Sequence, residues 1–142
     1  MQPDDRLIYL ISRAQHSLMT HLKKELNSQG NSITPVQAGI LFLLRKNAHT
    51  MTKLSQILSI DNSAITGLVD RLEKSDLAQR TTNPDDRRTY LIRITEKGKA
   101  EIDRAYVTIK RVNDEIKSGF SADEVKTFKR VLNSLLEKFA HK

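Results

Sequence analysis

The stretch LSQILSIDNSAITGLVDRLEKSDLAQRTTNPDDRRTYLIRIT, residues 54–95, decides the fold because its apolar period changes within it. Leu54, Ile57 and Leu58 recur at helical steps and predict a short helix ended by Ser59-Ile60-Asp61. A second helix follows from Asn62 to Lys74, with Ile65, Leu68, Val69 and Leu72 directed inward. Two helices so closely joined must cross steeply, as in a helix-turn-helix. If the apolar quartet faces the core, Asn62, Ser63, Thr66 and Asp70 face outward, with Gly67 and Arg71 at the flank. The pattern then turns to strand. Leu77 to Thr82 suits a β-strand, Asn83-Pro84-Asp85-Asp86 is turn chemistry, and Thr89 to Ile94 is rich in β-formers, with Tyr90, Ile92 and Ile94 on one side.

A helix-turn-helix followed at once by a hairpin is a winged helix-turn-helix. Its second helix fits a major groove about 12 Å wide, and its hairpin tip reaches the adjacent minor groove or backbone. Small polar groups on the outward helix face allow close approach to base edges. Gly67 has two readings: it lets the helix approach DNA, or it permits packing against another helix. At the tip, Arg87 and Arg88 suit the narrow, strongly negative minor groove. The neighbouring carboxylates work against phosphate unless one of them holds a guanidinium in place.

Working outward, Thr34-Pro35-Val36-Gln37 matches a capping box with proline in the first turn, opening a buried helix through Leu44. Before it, Leu7, Ile11, Ala14, Leu18 and Leu22 stripe a long first helix, with Gly30 as its stop. After the hairpin, Thr95 caps a helix carrying Ile102, Ala105, Ile109, Val112 and Ile116, which Gly119 ends. Ser121-Ala122-Asp123-Glu124 opens a last helix with Val125, Phe128, Leu132, Leu135, Leu136 and Phe139 along one side. The expected fold class is mainly α with a small β-hairpin wing: a winged helix-turn-helix plus a helical dimerisation region. Residues 1–33 form the N-terminal helix of the dimerisation region, 34–95 the DNA-binding lobe, and 96–142 the C-terminal dimerisation helices. The lobe is too small to cover three more apolar stripes, so a homodimer is expected, spacing two recognition helices near 34 Å for a pseudo-palindromic operator.

Composition agrees with this reading. The chain has 142 residues, enough for one respectable core, and a net charge of +7 from 24 Lys+Arg and 17 Asp+Glu, which favours a polyanionic partner. The longest apolar run, Ala38 to Leu44, is far short of a bilayer span, and Met1 leads directly into Pro3, Asp4 and Asp5, so neither a membrane nor secretion is expected. With no cysteine the chain needs no oxidising compartment, and a cytoplasmic location follows. His16, His21, His49 and His141 lack metal-site spacing, so no metal and no cofactor is expected. No glycine-rich phosphate loop, nucleophile elbow or acid/base pair points to an enzyme. The rival to DNA binding is a winged-helix module that binds protein instead.

The run Leu68-Val69-Asp70-Arg71-Leu72-Glu73-Lys74, then Leu77-Ala78-Gln79-Arg80, Asp86-Arg87-Arg88 and Ile94-Thr95-Glu96-Lys97-Gly98, resembles the MarR family of bacterial winged helix-turn-helix regulators. The resemblance implies a homodimeric transcription factor, usually a repressor, whose binding to double-stranded DNA is relieved by a small, often aromatic ligand. It places Ser63, Ala64, Thr66 and Gly67 in the base-facing stretch, and Arg71 and Arg80 at phosphate contacts. Asp86 and Arg88 match the family's wing motif, with Arg87 between them: either arginine enters the minor groove, and Asp86 orients it. Many relatives carry arginine at the position of Gly67, so a guanine contact from there is unavailable. Arg13, His16 and Thr20, on the less apolar side of the first helix, are candidates to receive a carboxylate or phenol effector.

Overall fold

A computed structural model describes residues 3–140. Six helices and three short strands follow one another: α1 (Leu7–Ser28), α2 (Pro35–Lys46), β1 (His49–Thr50), α3 (Met51–Leu58), α4 (Asn62–Lys74), β2 (Ala78–Thr82), β3 (Tyr90–Ile94), α5 (Glu96–Lys117) and α6 (Ala122–Lys138). The helix starts stand where hydroxyl and carboxylate caps predict them. Thr34 with Gln37, and Ser121 with Glu124, close reciprocal capping boxes, while Thr50, Asp61 and Thr95 each accept a backbone N–H from the first turn of their helix. Gly30 ends α1 at φ +77°, a left-handed conformation open to glycine at little cost, and the Asn31 N–H then returns to the Leu26 carbonyl at 2.9 Å.

The strands form one antiparallel sheet in the order β1-β3-β2, with Ala78 opposite Ile94 and Thr82 opposite Tyr90. β1 adds a third strand to the expected hairpin, pairing His49 with Ile92 and Thr50 with Leu91. Two residues are too few for strand alternation to show in the sequence. They anchor the start of α3 to the sheet, because Thr50 is both strand residue and helix cap.

One apolar core runs through the lobe and continues between α1, α2 and α5, with Leu26, Ile40, Leu41, Leu54, Ile65, Leu72, Ile92 and Ile102 closed to solvent. Two apolar residues of the lobe stay outside this core. Ile57 is 43% exposed, because the short α3 docks mainly through Leu54; Tyr90 is exposed because it stands at the wing end of β3, where the sheet leaves the core. The rest of the apolar surface lies outside the core altogether. α6 has no buried residue, and Phe120, Phe128 and Phe139 are 62%, 54% and 70% exposed. At the other end of the chain, Leu7 to Ile11 are exposed one after another around the first turns of α1. Such surface on terminal helices is the mark of a helical dimerisation region.

Besides its packing on α2, α5 meets the turn between α4 and β2 at one tight point. The Thr95 N–H donates to the Leu77 carbonyl at 3.1 Å and its hydroxyl to the Asp76 carbonyl at 2.7 Å. Gly98 then passes so close that a Cβ there would lie 2.1 Å from the Leu77 carbonyl oxygen. The helix outside the lobe and the turn between α4 and β2 are thereby fixed to each other.

Candidate nucleic-acid interface

α4 presents an open face. Asn62, Ser63, Ala64, Thr66 and Arg71 are all exposed. A Cβ added at Gly67 would have nothing within 4 Å, so no neighbouring helix within the chain requires this glycine. At the start of the helix Asp61 accepts the Ala64 N–H at 2.8 Å and the Ser63 hydroxyl at 2.7 Å; these bonds, the backbone one first, hold its carboxyl below the ordinary carboxylate range.

Arg80 departs from its expected place. Its guanidinium pairs with Asp70 at 2.5 Å and with Glu73, and its backbone N–H donates to Glu73 at 3.3 Å. Its side chain is 28% exposed. Arg80 on β2 therefore clamps two carboxylates of α4, and Asp70 serves the same clamp. The signal was present as Asp70, Glu73 and Arg80, but nothing in spacing alone closes an ion pair across a helix-to-strand turn. Arg71, by contrast, makes no ion pair with any described residue.

At the wing, the exposed tip is built on the buried Asn83, which sequence reasoning passed over as a turn residue. Its amide donates to the Thr89 hydroxyl at 3.0 Å and its carbonyl oxygen Oδ1 accepts the Asp85 N–H at 3.0 Å. Asp86 does have an internal task. It accepts the Arg88 backbone N–H at 3.1 Å and grips the guanidinium twice, Nε at 3.0 Å and Nη2 at 3.2 Å. The side-chain bond from Arg88, then the backbone one, keeps the Asp86 carboxyl below its usual range. Arg88 is held but 90% exposed, and Arg87 is exposed with no ion pair among the described residues.

Arg13, His16 and Thr20 share the outer face of α1, all exposed. A concavity of about 660 Å³ opens between α5 and α6 beside Ile116, Phe120 and Phe128, and another of about 550 Å³ lies beside Thr50, Arg80 and Tyr90; none of the three lines either. Among the described residues no group of acidic or histidine side chains could hold a metal, and no helix is long and apolar enough to cross a membrane. His141 lies outside the described residues.

Comparison with known proteins bears on the same segments. The MarR family model matches residues 33–90, the span from just before the Thr34 cap to the first residue of β3. The transcriptional regulator MhqR of Bacillus subtilis is 30% identical over 121 residues, covering 84% of this chain and 82% of its own length. The chain belongs to the MarR family. MarR-family proteins are DNA-binding transcriptional regulators, not enzymes. A mutant MarR from Escherichia coli, solved in complex with operator DNA, superposes with a TM-score of 0.75 at 28% identity, covering 91% of this chain and 95% of that one. CouR from Rhodococcus jostii, solved bound to p-coumaroyl-CoA, superposes at 0.82 with 27% identity, covering 97% and 95%.

The clamp makes a prediction that separates it from the free cation. Arg80→Ala should lower unfolding stability by about 1–2 kcal/mol, between the values typical of exposed and of buried pairs, since it takes the guanidinium from both the Asp70 and the Glu73 carboxylates. Arg71→Ala should leave the denaturation midpoint within about 0.5 kcal/mol of the parent. Urea titration of both variants is the check.

Proposed function

We propose that this MarR-family chain is a dimeric, sequence-specific DNA-binding repressor whose hold on a pseudo-palindromic operator is relieved by a small, often aromatic ligand. The observation that carries the reading is the open outer face of α4, clamped through Arg80 to the strand that leads to the arginine tip. One rigid unit then offers a helix for the major groove and a guanidinium pair for the minor groove or backbone. Asn62, Ser63, Ala64, Thr66 and Gly67 meet bases; Arg71 meets phosphate. Arg80 and Asp70 position the wing rather than touch DNA. Arg88, pre-set by Asp86, is the groove-entering arginine, with the second edge of its guanidinium left for base acceptors, and Arg87 neutralises phosphate.

A second copy covers the bare apolar residues of α1 and α6. A stable interface of this kind buries on the order of 1,200–2,000 Å², and the exposed phenylalanines and the Leu7–Ile11 turn are the surface available for it. Ligand response is supported by the likeness to CouR, which was solved with an aromatic acyl thioester. On this chain Arg13 and His16, with Thr20, would receive an acidic or phenolic group on α1.

Fluorescence anisotropy with labelled genomic fragments tests the reading. Affinity should fall steeply as salt rises from about 50 to 200 mM, by roughly 10³-fold or more for six or more phosphate contacts. A phenolic carboxylate that relieves binding would identify the effector class. No duplex binding at low salt would refute the proposal.

A further inference from the structure

The hydrogen-bond inventory of the outer face of α4 limits which base edges it can meet. Ser63 Oγ donates to Asp61 Oδ1 at 2.7 Å, and Thr66 Oγ1 donates to the Asn62 carbonyl at 2.9 Å. A hydroxyl has one proton to give, so both present acceptor lone pairs outward. Asp61 is a carboxylate and adds a further acceptor. Ala64 offers a methyl group, and Gly67 offers backbone with open space before it. Within the first two turns, the Asn62 carboxamide is the exposed side chain that keeps free N–H donors. The first cation along this face is Arg71, in the third turn.

Guanine shows the major groove only acceptors, N7 and O6, and would meet acceptors or methyl groups from Ser63 to Gly67; cytosine can give its N4–H to an acceptor, but has no C5 methyl to fill the space before Ala64 and Gly67. Polar edges left unpaired in an interface are costly. Adenine shows an N6 donor beside an N7 acceptor, a pair that one carboxamide satisfies from both ends. Thymine shows its C5 methyl, which suits Ala64, the Thr66 methyl and the flat backbone at Gly67. The wing favours the same composition, because narrow A-tract minor grooves attract arginine.

Resting on the proposed entry of α4 into the major groove, we infer that its first two turns read A·T pairs, with adenine under Asn62 and thymine methyls against Ala64 and Gly67. Guanine is excluded from the edges facing Ala64, Thr66 and Gly67, and at Asn62 it uses only the donor end of the carboxamide. Gly67 is then a specificity-determining residue: its missing side chain both admits the methyl and withholds a donor.

The test selects duplexes from a random library with the full chain and sequences the enriched sites. Half-sites with fixed A·T pairs in the major-groove core are expected. In the enriched duplex, replacing a read thymine by uracil deletes only the C5 methyl and should weaken binding about 4-fold. Asn62→Ala should cost about 10-fold on that duplex and little on a scrambled one. Selection with Gly67→Arg should gain guanine at the position it faces. Fixed guanines facing the first two turns in the parent selection would overturn the inference, as would indifference to uracil or binding with no enriched sequence. Loss of all duplex binding would refute the broader DNA-binding reading as well, and is distinguished from the other outcomes because they retain affinity.

Discussion

Replacing Arg87 and Arg88 together by alanine is expected to lower affinity for operator duplex by about 100-fold at fixed salt, since each cation at a groove or phosphate is worth on the order of 1–3 kcal/mol. The plot of log affinity against log salt should lose about two units of slope if both arginines displace counterions. Stability should hardly change, because Arg88 is 90% exposed and its pairing with Asp86 is local to the tip. Asp86→Ala is the informative companion. It keeps both cations and removes only the grip on Arg88, so binding should weaken by a smaller factor while the salt slope holds. Anisotropy across a salt series checks all three variants. Unchanged affinity in the double variant would remove the wing from the interface.

The largest effect on folding is expected from Gly98→Ala. A methyl group there would stand 2.1 Å from the Leu77 carbonyl oxygen and 2.8 Å from Ile94 Cγ1, and the first of these belongs to backbone that the Thr95 N–H already holds. Relief requires α5 to move away from the turn between α4 and β2, at a cost of about 3 kcal/mol, the upper part of the range for overpacked cores. The same substitution at Gly67 is expected to have the opposite sign. Its Cβ enters open space in a helix interior, so Gly67→Ala should stabilise by about 0.5–1 kcal/mol. Thermal or urea denaturation of the two variants measures the contrast. Equal stability of the Gly98 variant and the parent would mean that α5 does not seat where described.

The elements most legible in the sequence are those whose ends carry their own chemistry. Thr34-Pro35-Val36-Gln37 and Ser121-Ala122-Asp123-Glu124 specify helix starts through local hydrogen bonds, and local bonds leave a local pattern. The period change after Lys74 likewise marks the passage from helix to wing. What stayed hidden depends on contacts between distant segments. β1 is two residues long and exists because β3 offers it an edge. Arg80 reads as a surface cation until the turn at Asp76, with φ +61°, folds β2 back onto α4 and delivers it to Asp70 and Glu73. Asn83 looks like any turn asparagine, yet both ends of its carboxamide are used to shape the tip. At the interface, the outward residues of α4 followed from the helix wheel. The division of labour between the two wing arginines did not, because adjacency to Asp86 cannot show which guanidinium folds back onto it.

The bare apolar faces of α1 and α6 connect the fold to the function. A lone chain would carry five successive exposed apolar residues, Leu7 to Ile11, and three exposed phenylalanines into water. In the proposed dimer, pairing would bury them and set two α4 helices on one side of the assembly, with the Gly98 and Thr95 contacts tying α5 to the lobe. Native mass spectrometry of the full chain mixed with an enriched operator duplex tests this most directly. Two chains on each duplex, with free protein also running as a dimer, is the predicted result; one chain per duplex, or free protein that stays monomeric at micromolar concentration, would contradict it.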